Sequence, residues 1–171
     1  MEYLEFAVDL ARSAGDVLKH YMDRDKLVEL KGRANLVTVA DKESEALIIN
    51  GIRERYPNHA ILAEESGTSG PSAAGKGKWI IDPLDGTTNF AHQYPFFCVS
   101  IAFEQEGQIS CGAVYDPWRD EMFSAARGRG AFVNGERITV SDVQRLGSAL
   151  IMTGFPYGFR DKIQTDRKSV V

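Results

Sequence analysis

From Val99 onward the chain alternates short apolar runs with very short polar turns, and this limits its fold more than any other feature. Residues 99–103, 109–114, 121–126, 131–133 and 137–140 read as strands. Asn134-Gly135 joins the last two, a pair of residues that tolerates the positive φ of a tight hairpin turn. Glu106-Gly107 marks another turn. Connections this short cannot contain the long crossover that parallel strands need, so much of the sheet is expected to be antiparallel.

The first third of the chain has a different period. Leu4, Ala7, Leu10, Ala11, Ala14, Leu18 and Tyr21 recur at helical spacing over residues 2–22. A second helix is expected over 41–56, with Ala46, Ile49 and Ile52 inward and Pro57 as its stop. Between them LKGRANLVT reads as a strand end and a loop. AILAEESG reads as a short strand running into acids, TSGPSAAGKGK as a Gly/Ser/Pro-rich loop, and WIID as a buried strand. Residues 148–153 read as one more strand before GFPYGF breaks the pattern. Helix, helix, then mainly strands is an α+β order: two N-terminal helices packed on a largely antiparallel sheet.

Three groups of acids stand out: Asp41 at the start of the second helix, Glu64-Glu65 after one strand, and Asp82 with Asp85 after another. Pro83 restricts the backbone between the last two. If these groups converge they repel, at about 4 kcal/mol for two charges 4 Å apart in an effective dielectric of 20. Keeping them together requires a cation or raised pKa values. An all-oxygen donor set suits Mg²⁺, Mn²⁺ or Ca²⁺. The chain has 3 His, with no pair at ligand spacing, and its two cysteines, Cys98 and Cys111, are expected to be reduced and unpaired.

Gly86-Thr87-Thr88-Asn89 follows Asp85 directly. If Thr87 opens a short helix, the amides of Gly86, Thr87 and Thr88 face outward toward an anion such as phosphate. A helix cap without a ligand explains the same residues. The net charge of −4 argues against nucleic acid as the main partner. The N-terminus has no secretory pattern and no apolar run approaches the roughly 18 residues that span a bilayer, so a cytoplasmic protein without membrane contact is expected.

DPLDGTTNF resembles the first signature of the inositol monophosphatase family, the Mg²⁺-dependent, lithium-sensitive phosphatases. AEESG resembles its glutamate motif, LVTVADKESEALI its N-terminal aspartate motif, and LK its mobile lysine. The resemblance implies the first layers of an αβαβα sandwich. It implies hydrolysis of a phosphate monoester, by default inositol 1-phosphate, with a metal-activated water and Mg²⁺ as cofactor. Glu64, Asp82, Asp85 and the Leu84 carbonyl would bind metal. Gly86 and Thr87 would hold phosphate through their amides, with Glu64, Leu84 and Asp85 around the substrate. Thr87 paired with Asp41 would orient the water, and Lys31 would sit on a closing loop. Glu65 would support its neighbours. Homodimerisation of the full-length protein is also implied.

Family members are longer, and their later Trp-Asp-x-Ala-Ala-Gly motif does not occur in this sequence. Residues 1–145 are accordingly expected to form the metal-binding domain and 146–165 the start of a second, incomplete one. Residues 166–171, DRKSVV, are expected to be a non-native tail, because they can be written in codons that resemble a sequencing-library adapter. A fragment of this kind is expected to be poorly soluble or inactive. Alternative readings are a phosphatase of fructose 1,6-bisphosphate, 3′-phosphoadenosine or histidinol phosphate, or a role in binding the transcription machinery. His92 and Trp118 read as capping or packing residues, and Arg127 and Arg129 as a solvated turn.

Overall fold

The computed structural model describes residues 2–22, 28–31, 35–71 and 77–152, with 28–31 and 35–38 as backbone. The helical periodicity of the N-terminus becomes α1 (Glu2–Met22), whose buried stripe is Ala7, Leu10, Ala11, Ala14, Gly15 and Leu18. Acids in its first turn and Lys19 and His20 in its last complement the helix dipole. The chain then forms β1 (Val28–Lys31) and β2 (Asn35–Thr38), an antiparallel pair in which Lys31 faces Asn35. This segment, expected as a strand end and a loop, is thus a hairpin, and Lys31 closes a strand.

Helix α2 (Val39–Arg55) buries Ile49 and Ile52 as expected, but its inward face differs from the expected one in its first half. Ala46 is exposed, whereas Asp41, Ser44, Glu45, Ile48, Ile49 and Ile52 are buried. The inward stripe keeps helical spacing but is polar for its first half, so a search for apolar residues is drawn to the wrong positions there.

The remaining strands are β3 (Ala60–Ala63), β4 (Gly67–Ser69), β5 (Lys78–Asp85), β6 (Cys98–Gln105), β7 (Gln108–Asp116), β8 (Glu121–Ala126), β9 (Gly130–Val133) and β10 (Glu136–Ile138). A short helix, α3 (Thr87–Ala91), follows β5. Eight strands form one sheet in the order β10-β9-β8-β7-β6-β5-β3-β4. The expected antiparallel character holds for every pair except β3 with β5, which is parallel. The fold is α+β. Residues 148–152 carry no strand: a 3₁₀ turn at Leu146–Ser148 leads into extended chain at Ala149, with no partner strand among the described residues. Thr153, the remainder of the expected second domain at 146–165 and the tail at 166–171 lie outside the described residues.

Both long helices cover one face of the sheet, α1 against β6, β7 and β8 and α2 against β5. Trp79, Ile81, Val99, Ile101, Phe103, Ala113 and Tyr115 meet them in the core. Gly15 is where α1 comes closest to the sheet: a methyl there would lie 2.5 Å from the Tyr115 ring. The opposite face presents Leu62, Val114 and Phe123, each between 37% and 39% exposed. Cys98 and Cys111 are free thiols, and Cys111 faces Phe103 across the β6–β7 hairpin. Among the described residues no helix is long and apolar enough to cross a membrane.

Candidate active site

The parallel pairing of β3 and β5 brings two of the acids together. Ala63 is opposite Ile81, and the Glu64 amide donates to the Ile81 carbonyl at 3.2 Å. Because the strands run in the same direction, the residues that follow, Glu64 just past β3 and Asp82 within β5, stand side by side. Their carboxyl groups share a hydrogen bond.

A bulge adds the third. Asp82 pairs with Ser100 and Asp85 with Cys98, so three steps along β5 match two along β6. Without an extra residue, positions three apart in a strand point to opposite faces. The bulge reverses that parity, which leaves Pro83 and Leu84 both buried and returns Asp85 to the side of Asp82. The Leu84 amide donates to Asp82 Oδ1 at 3.1 Å, which pins the bulged segment.

Helix α2 supplies the floor. The Ser44 hydroxyl donates to the Pro83 carbonyl at 3.0 Å, and both groups are buried. Glu45 Oε2 accepts the amides of Glu65 at 3.3 Å and Ser66 at 3.4 Å. Asp41, one turn earlier, is 2% exposed. The pattern Asp41, Ser44, Glu45 at i, i+3 and i+4 was the available sign of this polar stripe. Ser44 and Glu45 escape notice in the sequence because they sit outside the expected apolar positions.

The electrostatics follow from this crowding. Asp41 is raised from 3.8 to about 7, by burial first and then by Glu65, Asp82, Glu45 and Glu64. Asp82 is also raised to about 7, by burial, by the charge of Glu64, by their shared hydrogen bond and by Asp85. The backbone holds carboxylates against one another, and two of them resist ionisation at neutral pH. Among the described residues no group of three or more acidic, His or Cys side chains is placed so that it could hold a metal ion. The donor set is nevertheless all carboxylate and carbonyl oxygen with a surplus of negative charge, which is what a hard divalent cation requires.

On the far side of the bulge, Gly86 adopts φ 92° and ψ 32° and caps α3. That left-handed conformation favours glycine, and a Cβ would lie 3.0 Å from the Phe96 carbonyl. The Gly86 carbonyl accepts the Phe90 amide at 2.9 Å. The Thr87 hydroxyl donates to the Leu84 carbonyl at 3.0 Å, so its one proton points to that oxygen and not to Asp41. Strand β2 runs beside α3, but the side chain of Lys31 lies outside the described residues. Cys98 was not among the expected site residues. Its thiol is 3.8 Å from Asp85 Oδ2, and burial followed by that carboxylate pushes it up to about 12.

Two grooves flank the acids on the uncovered sheet face. One of about 560 Å³ is lined by Leu62, Glu64, Ile80, Asp82 and Ser100. The other, about 390 Å³, is lined by Asp85, Gly86, Asn89, Asp116 and Arg119. His92 ends α3, with its amide on the Thr88 carbonyl. Trp118, expected to pack, is 50% exposed at a turn whose amides bind Asp116. Arg127 clasps the Ile109 carbonyl and Gln108, which makes its turn a clamp on the β6–β7 hairpin.

Comparison with known proteins identifies the family. The chain is 45% identical over 163 residues to an inositol monophosphatase of Dictyostelium discoideum, covering 94% of this chain and 60% of that protein. It is 44% identical over 156 residues to the Nus factor SuhB of Escherichia coli, covering 90% and 58%. The solved structure of an inositol monophosphatase from Anabaena superposes with a TM-score of 0.84 at 43% identity, over 97% of this chain and 60% of that one. The chain therefore spans about three fifths of the length of the relatives it matches. The family model described as the inositol monophosphatase family matches residues 1–169, and the chain belongs to that family.

Proposed function

We propose that this chain carries the metal- and phosphate-binding half of a Mg²⁺-dependent phosphomonoesterase, with an inositol phosphate as its substrate. The observation that carries this reading is the placement of Glu64 beside Asp82 by the parallel pairing of β3 with β5, with Asp85 past the bulge still raising Asp82 by its charge. Glu64, Asp82, Asp85 and the Leu84 carbonyl would hold Mg²⁺, which supplies charge neutralisation for the phosphoryl group and acidifies water when bound.

The chain's own groups have distinct tasks. Gly86 and Thr87 present the first amides of α3 to a phosphate oxygen, with no side chain on Gly86 to obstruct it. The Thr87 hydroxyl is oriented by the Leu84 carbonyl and can accept a hydrogen bond from an attacking water. Asp41, with a pKa of about 7, is poised to take a proton near neutral pH and stands in the field of Asp82 and Glu64. Positioning and electrostatic stabilisation are most of what phosphoryl transfer asks of a protein.

A phosphate-release assay on the chain, with a panel of phosphate esters and with Mg²⁺ or chelator, tests this. Mg²⁺-dependent release highest with inositol 1-phosphate supports it; a chain that binds no Mg²⁺ overturns it. A second reading, a binding role in transcription, draws on the relatives called Nus factor SuhB. Capture of the same partner by wild type and by Asp82→Asn would favour it over catalysis.

A further inference from the structure

We propose that Glu45 is a positioning residue that fixes the turn carrying Glu64, and so sets where that carboxylate stands against Asp82. The proposal rests on the phosphatase reading above for its consequence, but its geometry is independent of it. Strand β3 ends at Ala63, and the chain must turn at residues 64–66 before β4 begins at Gly67. Glu64, Glu65 and Ser66 are all exposed, so burial of their side chains does not hold the turn. What meets its backbone from below is Glu45, 8% exposed, with one carboxylate oxygen taking the amides of both Glu65 and Ser66.

That arrangement is unfavourable as local electrostatics. It puts a buried acid beside Asp41 and adds to the repulsion already there. An apolar residue at 45 would avoid this repulsion but would leave two amides of the turn without that acceptor. The neighbouring Ser44 acts in parallel on the other strand end, through the Pro83 carbonyl. Consecutive residues of α2 thus tie down the two segments that bear the acids, Ser44 the bulge with Asp82 and Asp85, and Glu45 the turn with Glu64. The relative placement of Glu64 and Asp82 is set by one rigid helix. Groups that orient ligands without touching the ion commonly change its affinity by about 10- to 100-fold when removed.

The test compares wild type, Glu45→Ala, Glu45→Gln and Glu45→Asp in the 171-residue chain. Amide hydrogen exchange is read over the 64–66 turn, and Mg²⁺ affinity by calorimetry with the metal alone. Glu45→Ala is expected to speed exchange in the turn about tenfold or more, with α1 and the β6–β7 hairpin unchanged, and to weaken Mg²⁺ binding about 10- to 100-fold. Glu45→Gln, whose amide oxygen can still accept, is expected to restore most of both. If Glu45→Ala does not fold, Glu45→Asp decides: it keeps the charge, lacks the reach, and should show the same faster exchange and weaker binding. Unchanged exchange in the turn overturns the proposal, and so does faster exchange with undiminished Mg²⁺ affinity. A wild type that binds no Mg²⁺ overturns the phosphatase reading instead and with it the consequence for the metal, while the exchange data still decide whether Glu45 holds the turn.

Discussion

Replacing Asp82 by Asn is expected to stabilise the metal-free fold while removing activity. Asp82 rises from 3.8 to about 7 through burial, the charge of Glu64, the hydrogen bond they share, and Asp85. About three units at about 1.4 kcal/mol each is roughly 4 kcal/mol for ionising it in the fold. The side chain is partly open to solvent, so screening reduces this to about 2 kcal/mol. Because the folded value lies above the unfolded one, the penalty is absent below pH 4, grows as pH rises, and is complete above pH 7. An Asn keeps an oxygen for the Leu84 amide and offers Glu64 a donor in place of the shared proton. In chelator at pH 8 the variant should therefore melt about 4–8 °C above wild type, at about 2–4 °C per kcal/mol for a chain of this size. The gap should close toward pH 4. With Mg²⁺ at about a hundred times its dissociation constant, wild type should gain about 2.7 kcal/mol and the variant little of it. Scanning calorimetry over pH, with and without Mg²⁺, reads all of this. An Asp82→Asn protein that melts below wild type in chelator at pH 8 would show that the carboxylates do not repel as described, and one that keeps its turnover would remove Asp82 from the metal site.

Three further outcomes are expected. Ser44→Ala removes the buried donor to the Pro83 carbonyl and should cost about 1–3 kcal/mol in a urea titration; an unchanged midpoint would count against the clamp on the bulge. Gly86→Ala forces a side chain into φ 92° and within 3.0 Å of the Phe96 carbonyl. It should cost about 1–3 kcal/mol and raise KM for a phosphate ester, and a variant with normal KM would remove Gly86 from the phosphate site. Thr87→Ala should lower kcat about 100-fold or more while Thr87→Ser stays near wild type; equal rates for the two would make the hydroxyl irrelevant.

Local sequence determined many of the elements, though not the β1–β2 pair, and it suggested a strand at 148–153 where 148–152 carry none. The spacing of Ala7, Leu10, Ala11, Ala14 and Leu18 makes a one-faced helix wherever it folds. Asn134-Gly135 joins β9 to β10 because both residues accept the positive φ they adopt, 49° and 85°. The acids and the Gly-Thr-Thr that follows them were legible as a group, as was the family, since both are carried by short contiguous motifs. Tertiary structure decided how the acids meet. Glu64 and Asp82 are neighbours because β3 and β5 run parallel, a long-range pairing that no local pattern specifies. Asp85 joins them because a bulge reverses the parity of its strand, and a bulge is visible in register, not in residue identity. The inward turn of Ser44 and Glu45 depended likewise on what α2 packs against. A helix buries whichever face meets its neighbour, and here that neighbour offers a carbonyl and two amides in place of a wholly apolar surface.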